Sequence, residues 1–209
     1  MLQKLVPGIL DRPKDVVQVE PRGEIELISY EAGPHGFGRM SLVTSDMTEA
    51  LDGADVIMVV VPSMAHTAIA AATAPHLRDG QIVVLHPGRA LGAIEFERVI
   101  RDSGCKAEVI VSEAETLIYD SRSQGPAEVR IFRIKNAVPL AALPAKKTQQ
   151  VLHTLTEAFP EFIDGVDVLH TGLNNIEAIL YPAIMLLNMG RIESTSGEFQ
   201  FLIHEHTWR

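Results

Sequence analysis

The 209-residue chain has a single cysteine, Cys105, which excludes an internal disulfide framework and suits a reducing compartment. Cysteine is commonly a small buried apolar residue, and Cys105 reads that way. Positive charge is scarce too. Against 27 Asp and Glu there are 18 Lys and Arg, a net charge of −9 with no basic stripe, so nucleic acid is not an expected partner. No apolar run reaches the roughly 20 residues that span a bilayer. Pro7 and Gly8 interrupt the N-terminal "MLQKLVPGILDRPKD" where a signal peptide needs an unbroken apolar core. The expectation is a cytoplasmic protein without a membrane partner. His204 and His206 in "HEHTWR" read as part of a chain terminus, and no metal site is expected. Also missing is the G-x-G-x-x-G turn on which a dinucleotide's pyrophosphate meets a helix N-terminus. "GPHGFG" sits between two strands, and Gly88 and Gly92 have the wrong spacing. Either the chain binds no dinucleotide, or it lacks the strand, turn and helix that carry that motif.

A hydrophobic content of 46% is enough for the core of one large or two small domains. "ADVIMVVVP", "GQIVVLHPG" and "AEVIVSEAE" are near-continuous apolar runs of the kind that form parallel strands buried on both faces. "EIELISY" and "RMSLVTSD" predict further strands, the second ending at Ser45, and "AEVRIFRIKNAVPLAALP" two more, with Pro139 and Pro144 marking edges. Between them lie helices. "SDMTEAL" offers Ser45 or Asp46 as a cap, with Glu49 at capping-box spacing from Asp46, and "SMAHTAIAAATAPHL" is capped by Ser63. "ALGAIEFERVIRDSG" closes at Gly104, and "KKTQQVLHTLTEAFP" puts Val151, Leu152, Leu155 and Phe159 on one side. "LNNIEAILYPAIMLLNMG", Leu173 to Gly190, predicts one long apolar helix. This alternation predicts an α/β, doubly wound sheet, which binds ligands beyond the carboxyl ends of its strands.

Three loops follow such strand ends. In "VVVPSMAH", Pro62 stops the strand and Ser63 opens a helix whose positive end, with His66 on its first turn, faces the crevice. In "VLHPGRALG", Pro87 and Gly88 allow close backbone approach, and Arg89 is suited to a phosphate or carboxylate. In "SEAETLIYDSR", Glu113, Glu115 and Thr116 offer acceptors. Each residue also has a plain structural reading as a stop, a cap or a solvated side chain.

The ordered strings "SLVTSDMTEALDGADVIMVVVPSMAHTAIAAATAPHLRDGQIVVLHPGRALGA", "AETLIYDSR" and "LLNMGRIES" resemble the NAD(P)-dependent octopine/nopaline (opine) dehydrogenase family, from about Gly23 to about Ser196. The resemblance implies a Rossmann-type domain over residues 1–165, without its first strand, turn and helix. From 166 to 209 it implies the start of an all-helical substrate or dimerisation domain. It also implies NAD or NADP as cofactor and the reductive condensation of a 2-oxo acid with an amino acid, or its reverse. Val60, Pro62, Ser63 and His66 would border the nicotinamide, Pro87 and Gly88 the neighbouring loop, while Glu115 and Thr116 would face the cleft.

Where the family reads Asn-x-Asn-Ala-x-x-His-Pro, this chain reads Asn175-x-Glu177-Ala-x-x-Tyr181-Pro. Asn174 and Asn175 become candidate substrate ligands, with Tyr181 and Glu177 as candidate catalytic residues. An imidazole gives and takes a proton near neutrality, whereas a phenol gives one far more readily than it takes one. Four residues apart, Glu177 and Tyr181 share a helical face. Pro182 is expected to kink that helix or loosen one of its turns. Inactivity of this chain by itself is one expectation. A non-catalytic binding or assembly module, forming a homodimer through the apolar helix, is the alternative. A Rossmann enzyme acting on a hydroxy acid is a third reading.

Overall fold

The computed structural model describes the backbone of residues 4–5, 24–29, 36–39, 41–125, 128–174 and 176–194, and side chains over 41–121, 129–174, 176 and 180–194. Short segments come first: β1 (Lys4–Leu5), β2 (Glu24–Ser29), β3 (Gly36–Arg39), β4 (Leu42–Val43) and helix α1 (Met47–Leu51). The central elements are β5 (Val56–Val59), α2 (His66–Thr73), β6 (Ile82–Leu85), α3 (Gly92–Asp102) and β7 (Ile110–Ala114). A hairpin of β8 (Tyr119–Gly125) and β9 (Glu128–Ile134) leads to β10 (Val138–Leu143), α4 (Thr148–Leu155) and β11 (Phe162–Asp164). Helices α5 (Val168–Leu173), α6 (Glu177–Leu187) and α7 (Met189–Ser194) follow.

Five strands form the main sheet in the order β11-β10-β7-β6-β5. β5, β6 and β7 are parallel, β10 runs antiparallel to β7, and β11 runs parallel to β10. All residues of β6 and β7 are buried, as two-sided strands must be. Their alternation feeds two cores. Val83, Leu85 and Val111 face Ile69 and Ala70 of α2 and Phe96 and Ile100 of α3. Ile82, Val84, Ile110 and Ala114 face Val151, Leu152 and Leu155 of α4, with Ile118 and Phe162. Helices on both faces make the sheet doubly wound and Rossmann-like. Cys105 is a buried member of the first core. The hairpin strands pair with β2 and β3 in a second sheet, order β3-β2-β9-β8. No helix of the described residues is long and apolar enough to cross a membrane.

Local chemistry explains where elements depart from the sequence expectations. The strand expected up to Ser45 stops at Val43, because Asp46 accepts from the backbone N–H of Thr48 (2.7 Å) and Glu49 (3.3 Å) and itself donates N–H to Thr44 Oγ1 (3.0 Å). Such side-chain bonds compete with a ladder. Glu49 does not close a capping box, since its carboxylate takes the Thr44 hydroxyl at 2.8 Å. After Pro62 the chain makes a 3₁₀ turn, Ser63–Ala65, with no side-chain cap, and α2 begins only at His66. "TLIYDSR" proves to hold the start of a strand, β8, as well as a loop.

The helix expected over Leu173–Gly190 is divided: Leu173 closes the preceding α5, α6 starts at Glu177, and Asn188 separates α6 from α7. Asp167 caps a separate α5 by accepting from His170 N–H at 2.8 Å, and Asn174 ends it. α6 runs through Pro182 and ends at Asn188, whose side chain donates to the Ile184 carbonyl at 2.8 Å and so satisfies an orphan acceptor of the last turn. Among the described residues α6 is lightly covered, with Leu186 68% and Leu187 83% exposed.

Phe96, fully buried between α3 and the sheet, should be costly to truncate. In urea denaturation Phe96→Ala is expected to lose ~3–5 kcal/mol. Met64→Ala, at a surface side chain, should stay within ~0.5 kcal/mol of the parent.

Candidate functional site

The register pairs Val59 with Leu85 and Leu85 with Glu113, so the three loops noted in the sequence all leave the sheet at one edge. They differ in what they present. The first is open: Val60 is 54% exposed, Met64 88%, and Pro62 and Ser63 are also exposed. His66 turns inward and is buried. Its Nδ1 lies where a side chain on Gly92 would come to 3.2 Å, and its Nε2 has no hydrogen-bond partner. Burial holds its pKa below the ordinary value, against the opposing pull of the Glu95 carboxylate.

The second loop is closed. Pro87 and Gly88 are buried, and Gly88 donates its N–H to the Ala114 carbonyl at 2.9 Å. A Cβ at Gly88 would overlap the Cβ of Glu113 and come 2.7 Å from its Oε2. The close approach anticipated for a ligand is therefore taken up by the protein's own carboxylate. The His86–Pro87 bond is cis, and Arg89 and Leu91 have positive φ of 61° and 63°, a region that side chains disfavour. His86 beneath the loop accepts from Ile118 N–H through Nε2 at 3.0 Å and meets Phe162 edge to face at 5.6 Å. Burial, helped by the Lys135 charge, depresses its pKa to about 4. It is a neutral acceptor at ordinary pH.

Glu113, at the end of β7, has no solvent exposure. Oε2 accepts from Ala93 N–H at 2.7 Å, in the first turn of α3, and Oε1 accepts from Thr171 Oγ1 at 2.8 Å, on α5. Burial raises its pKa while those two bonds act against the rise. Two residues on, Glu115 receives Asn174 Nδ2 on both oxygens, each at 3.1 Å. Thr116 Oγ1 accepts from Lys135 Nζ at 2.6 Å. The outer face of α5 borders an open depression of about 420 Å³ lined by Asp167, Leu169, His170, Leu173 and Asn174.

Thus Glu115 and Asn174, both candidates in the sequence, are joined. Val60, Pro62 and Ser63 stand at the same sheet edge, over buried His66, Pro87 and Gly88. Tyr181 lies in α6, 36% exposed. Asn175 lies outside the described residues, and Glu177 is described only as the first residue of α6. Sequence reading missed Thr171, Lys135, the buried acceptor role of His86 and α5 as a separate helix. Asp167 ahead of "VLHTGL" was the available signal for α5, since an N-cap residue directly before an apolar stretch marks a helix start. The contacts of Thr171 and Lys135 join segments 58 and 19 residues apart and leave no local trace.

No protein-family model matches the chain. Opine dehydrogenase of Arthrobacter sp. (strain 1C) is 36% identical over 188 residues, 90% of this chain and 51% of that protein. Among solved structures, octopine dehydrogenase with NADH and L-arginine superposes with a TM-score of 0.68 at 26% identity, covering 85% of this chain and 45% of that one. Yersinopine dehydrogenase with NADP⁺ bound gives 0.66 at 14% identity over 86% of this chain and 45% of that one, a likeness of fold alone. The chain spans about half the length of the relatives it matches.

Two outcomes follow from the packing of this edge. Gly88→Ala should destabilise by ~1–3 kcal/mol, read as a lower urea midpoint, because Glu113 has no room to retreat. His86 titrates at 6.5 when free and about 4 when folded, so its stabilising contribution is complete above pH 6.5 and is lost as pH falls, by about 3 kcal/mol at pH 4. Glu113 carries the opposite sign: its contribution is complete below 4.5 and declines as pH rises through its raised pKa. Urea midpoints measured from pH 7 to pH 4 should fall less steeply in His86→Gln than in the parent.

Proposed function

The chain is a homologue of the opine dehydrogenases over the half of their length that it spans, and from that premise we propose that it works as the nicotinamide side of an NAD(P)H-dependent oxidoreductase. Its reaction is the reductive condensation of a 2-oxo acid with an amino acid, or the reverse, in the cytoplasm. The observation that carries this reading is the meeting of three loops at one sheet edge, with Glu115 and Asn174 tying that edge to the helix that precedes Tyr181.

The residues suit the cofactor. Val60 and Met64 are apolar side chains standing exposed at the carboxyl end of a parallel strand, a surface that a flat nicotinamide ring would cover. Ser63 and the uncapped turn beside it leave backbone N–H groups available for polar parts of the ring. Pro87 and Gly88 keep the second loop down on Glu113, out of the space above the sheet. His66 supports the first loop from beneath as a neutral side chain. When bound, the cofactor supplies or takes up the hydride; both NAD and NADP fit this description.

Glu115, Thr116, Asn174 and Asn175 supply the polar groups that orient the amino acid and 2-oxo acid. Tyr181 gives a proton to the substrate, with Glu177 one turn earlier on the same face assisting it. A second reading, an assembly module that forms a homodimer through its apolar helix, is favoured by the exposure of Leu186 and Leu187 on α6.

Fluorescence titration with NADH and NADPH, alongside oxidation of either cofactor by a 2-oxo acid with a panel of amino acids, separates these readings. Saturable binding with turnover that needs both substrates is expected. Absence of binding and turnover, together with a dimer in solution, would leave the assembly reading. In the active protein Tyr181→Phe should lower kcat by ~100-fold or more. Unchanged turnover would remove Tyr181 from the chemistry.

A further inference from the structure

Among the described residues no other carboxylate is as fully buried as Glu113. An isolated ionised carboxylate in such a place is too costly to keep without partners. Both of its oxygens are met, one by Ala93 N–H in the first turn of the eleven-residue α3, the other by the buried hydroxyl of Thr171. One residue therefore joins β7, α3 and α5.

The fit around this link is tight on every side. A Cβ on Gly165 would come 2.6 Å from Thr171 Cγ2 and 3.0 Å from the Leu140 backbone, and one on Gly172 would come 2.7 Å from the Leu91 N. The turn before α5 is thus pressed onto β10 and against Thr171, and α5 itself onto Leu91, the residue that opens α3. Glu113 lies in β7 and Glu115 just beyond its end, and both carboxylates reach toward α5. Thr171 and Asn174 are three apart and share a helix face. The two carboxylates grip α5 at successive turns, the inner one buried and the outer one at the surface.

We propose that Glu113 is a positioning residue: by holding Thr171 it seats α5 on the sheet edge and so sets the reach of Asn174 to Glu115 and the point from which α6, with Tyr181, departs. The catalytic consequence rests on the dehydrogenase reading. The seating of α5 does not.

Thr171→Val removes the hydroxyl at nearly constant volume, and Thr171→Ser restores it. Hydrogen exchange read by mass spectrometry should show peptides covering α5 exchanging at least ~10-fold faster in Thr171→Val, the worth of one buried hydrogen bond to a charged group, with α3 and β6 unchanged. Thr171→Ser should return α5 to parent rates. In steady-state assays Thr171→Val should raise KM for the amino acid and lower kcat while KM for NAD(P)H stays at the parent value, and Thr171→Ser should recover both. Parent-like exchange in Thr171→Val overturns the proposal. So does acceleration spread evenly over the molecule, which would mark only global stability, or a Thr171→Ser as impaired as Thr171→Val. If the parent protein turns over no substrate pair, the dehydrogenase reading fails, and the exchange comparison still decides the seating of α5.

Discussion

A carboxylate shut away from water has to be satisfied by the protein, and at Glu113 that requirement organises one edge of the main sheet. It demands a helix beginning at Gly92 so that Ala93 can donate, a hydroxyl at Thr171 on a second helix, and no side chain at Gly88. Each demand fixes a different segment. The β6–α3 loop is pressed down, α3 is capped from outside its own sequence, and α5 is drawn onto the sheet. Burial favours the protonated acid, while the helix end and the hydroxyl favour the charge. The group is held in tension between these effects, and the surrounding packing leaves it nowhere else to go.

With the second loop committed to that internal contact, the open space lies over the first. Val60, Pro62, Ser63 and Met64 are exposed, whereas His66, His86, Pro87 and Gly88 are covered. The edge is thus an apolar shelf on a rigid, fully packed base. Its far side carries polar groups in pairs, Glu115 with Asn174 and Thr116 with Lys135. Apolar surface beside polar groups is the usual make-up of a small-molecule site.

Both buried histidines are kept neutral. At His66 burial outweighs the pull of the Glu95 carboxylate, and at His86 the Lys135 charge adds to burial, so the charged form is disfavoured at each. At His86 neutrality has a direct structural use. An imidazolium would present a proton to the Ile118 N–H, where an acceptor is needed. The loop after β7 therefore depends on the protonation state of a side chain under β6.

The sequence by itself determined the central strands β5, β6 and β7 and the architecture. Runs such as "VIMV" and "IVVL" are too short for helices and too continuous for one-sided strands, so two-sided burial and flanking helices followed from local pattern alone. The three loops at strand ends were legible for the same reason, as was a helix cap at Ser45 or Asp46, of which the fold uses Asp46. The order of loop motifs also carried the kinship with opine dehydrogenases. What only the tertiary structure decided is which side chains meet. Glu113 appears in the sequence as one of two acidic residues in a loop, equivalent to Glu115. Folding buries one and leaves the other near the surface, because Thr171 and Asn174 arrive from a helix almost sixty residues away. Gly88 was legible as a residue permitting close approach, but not what would approach it. Local patterns reflect one chain segment and its own hydrogen bonds, whereas the partner of a buried charge is set by packing between segments that no short stretch encodes.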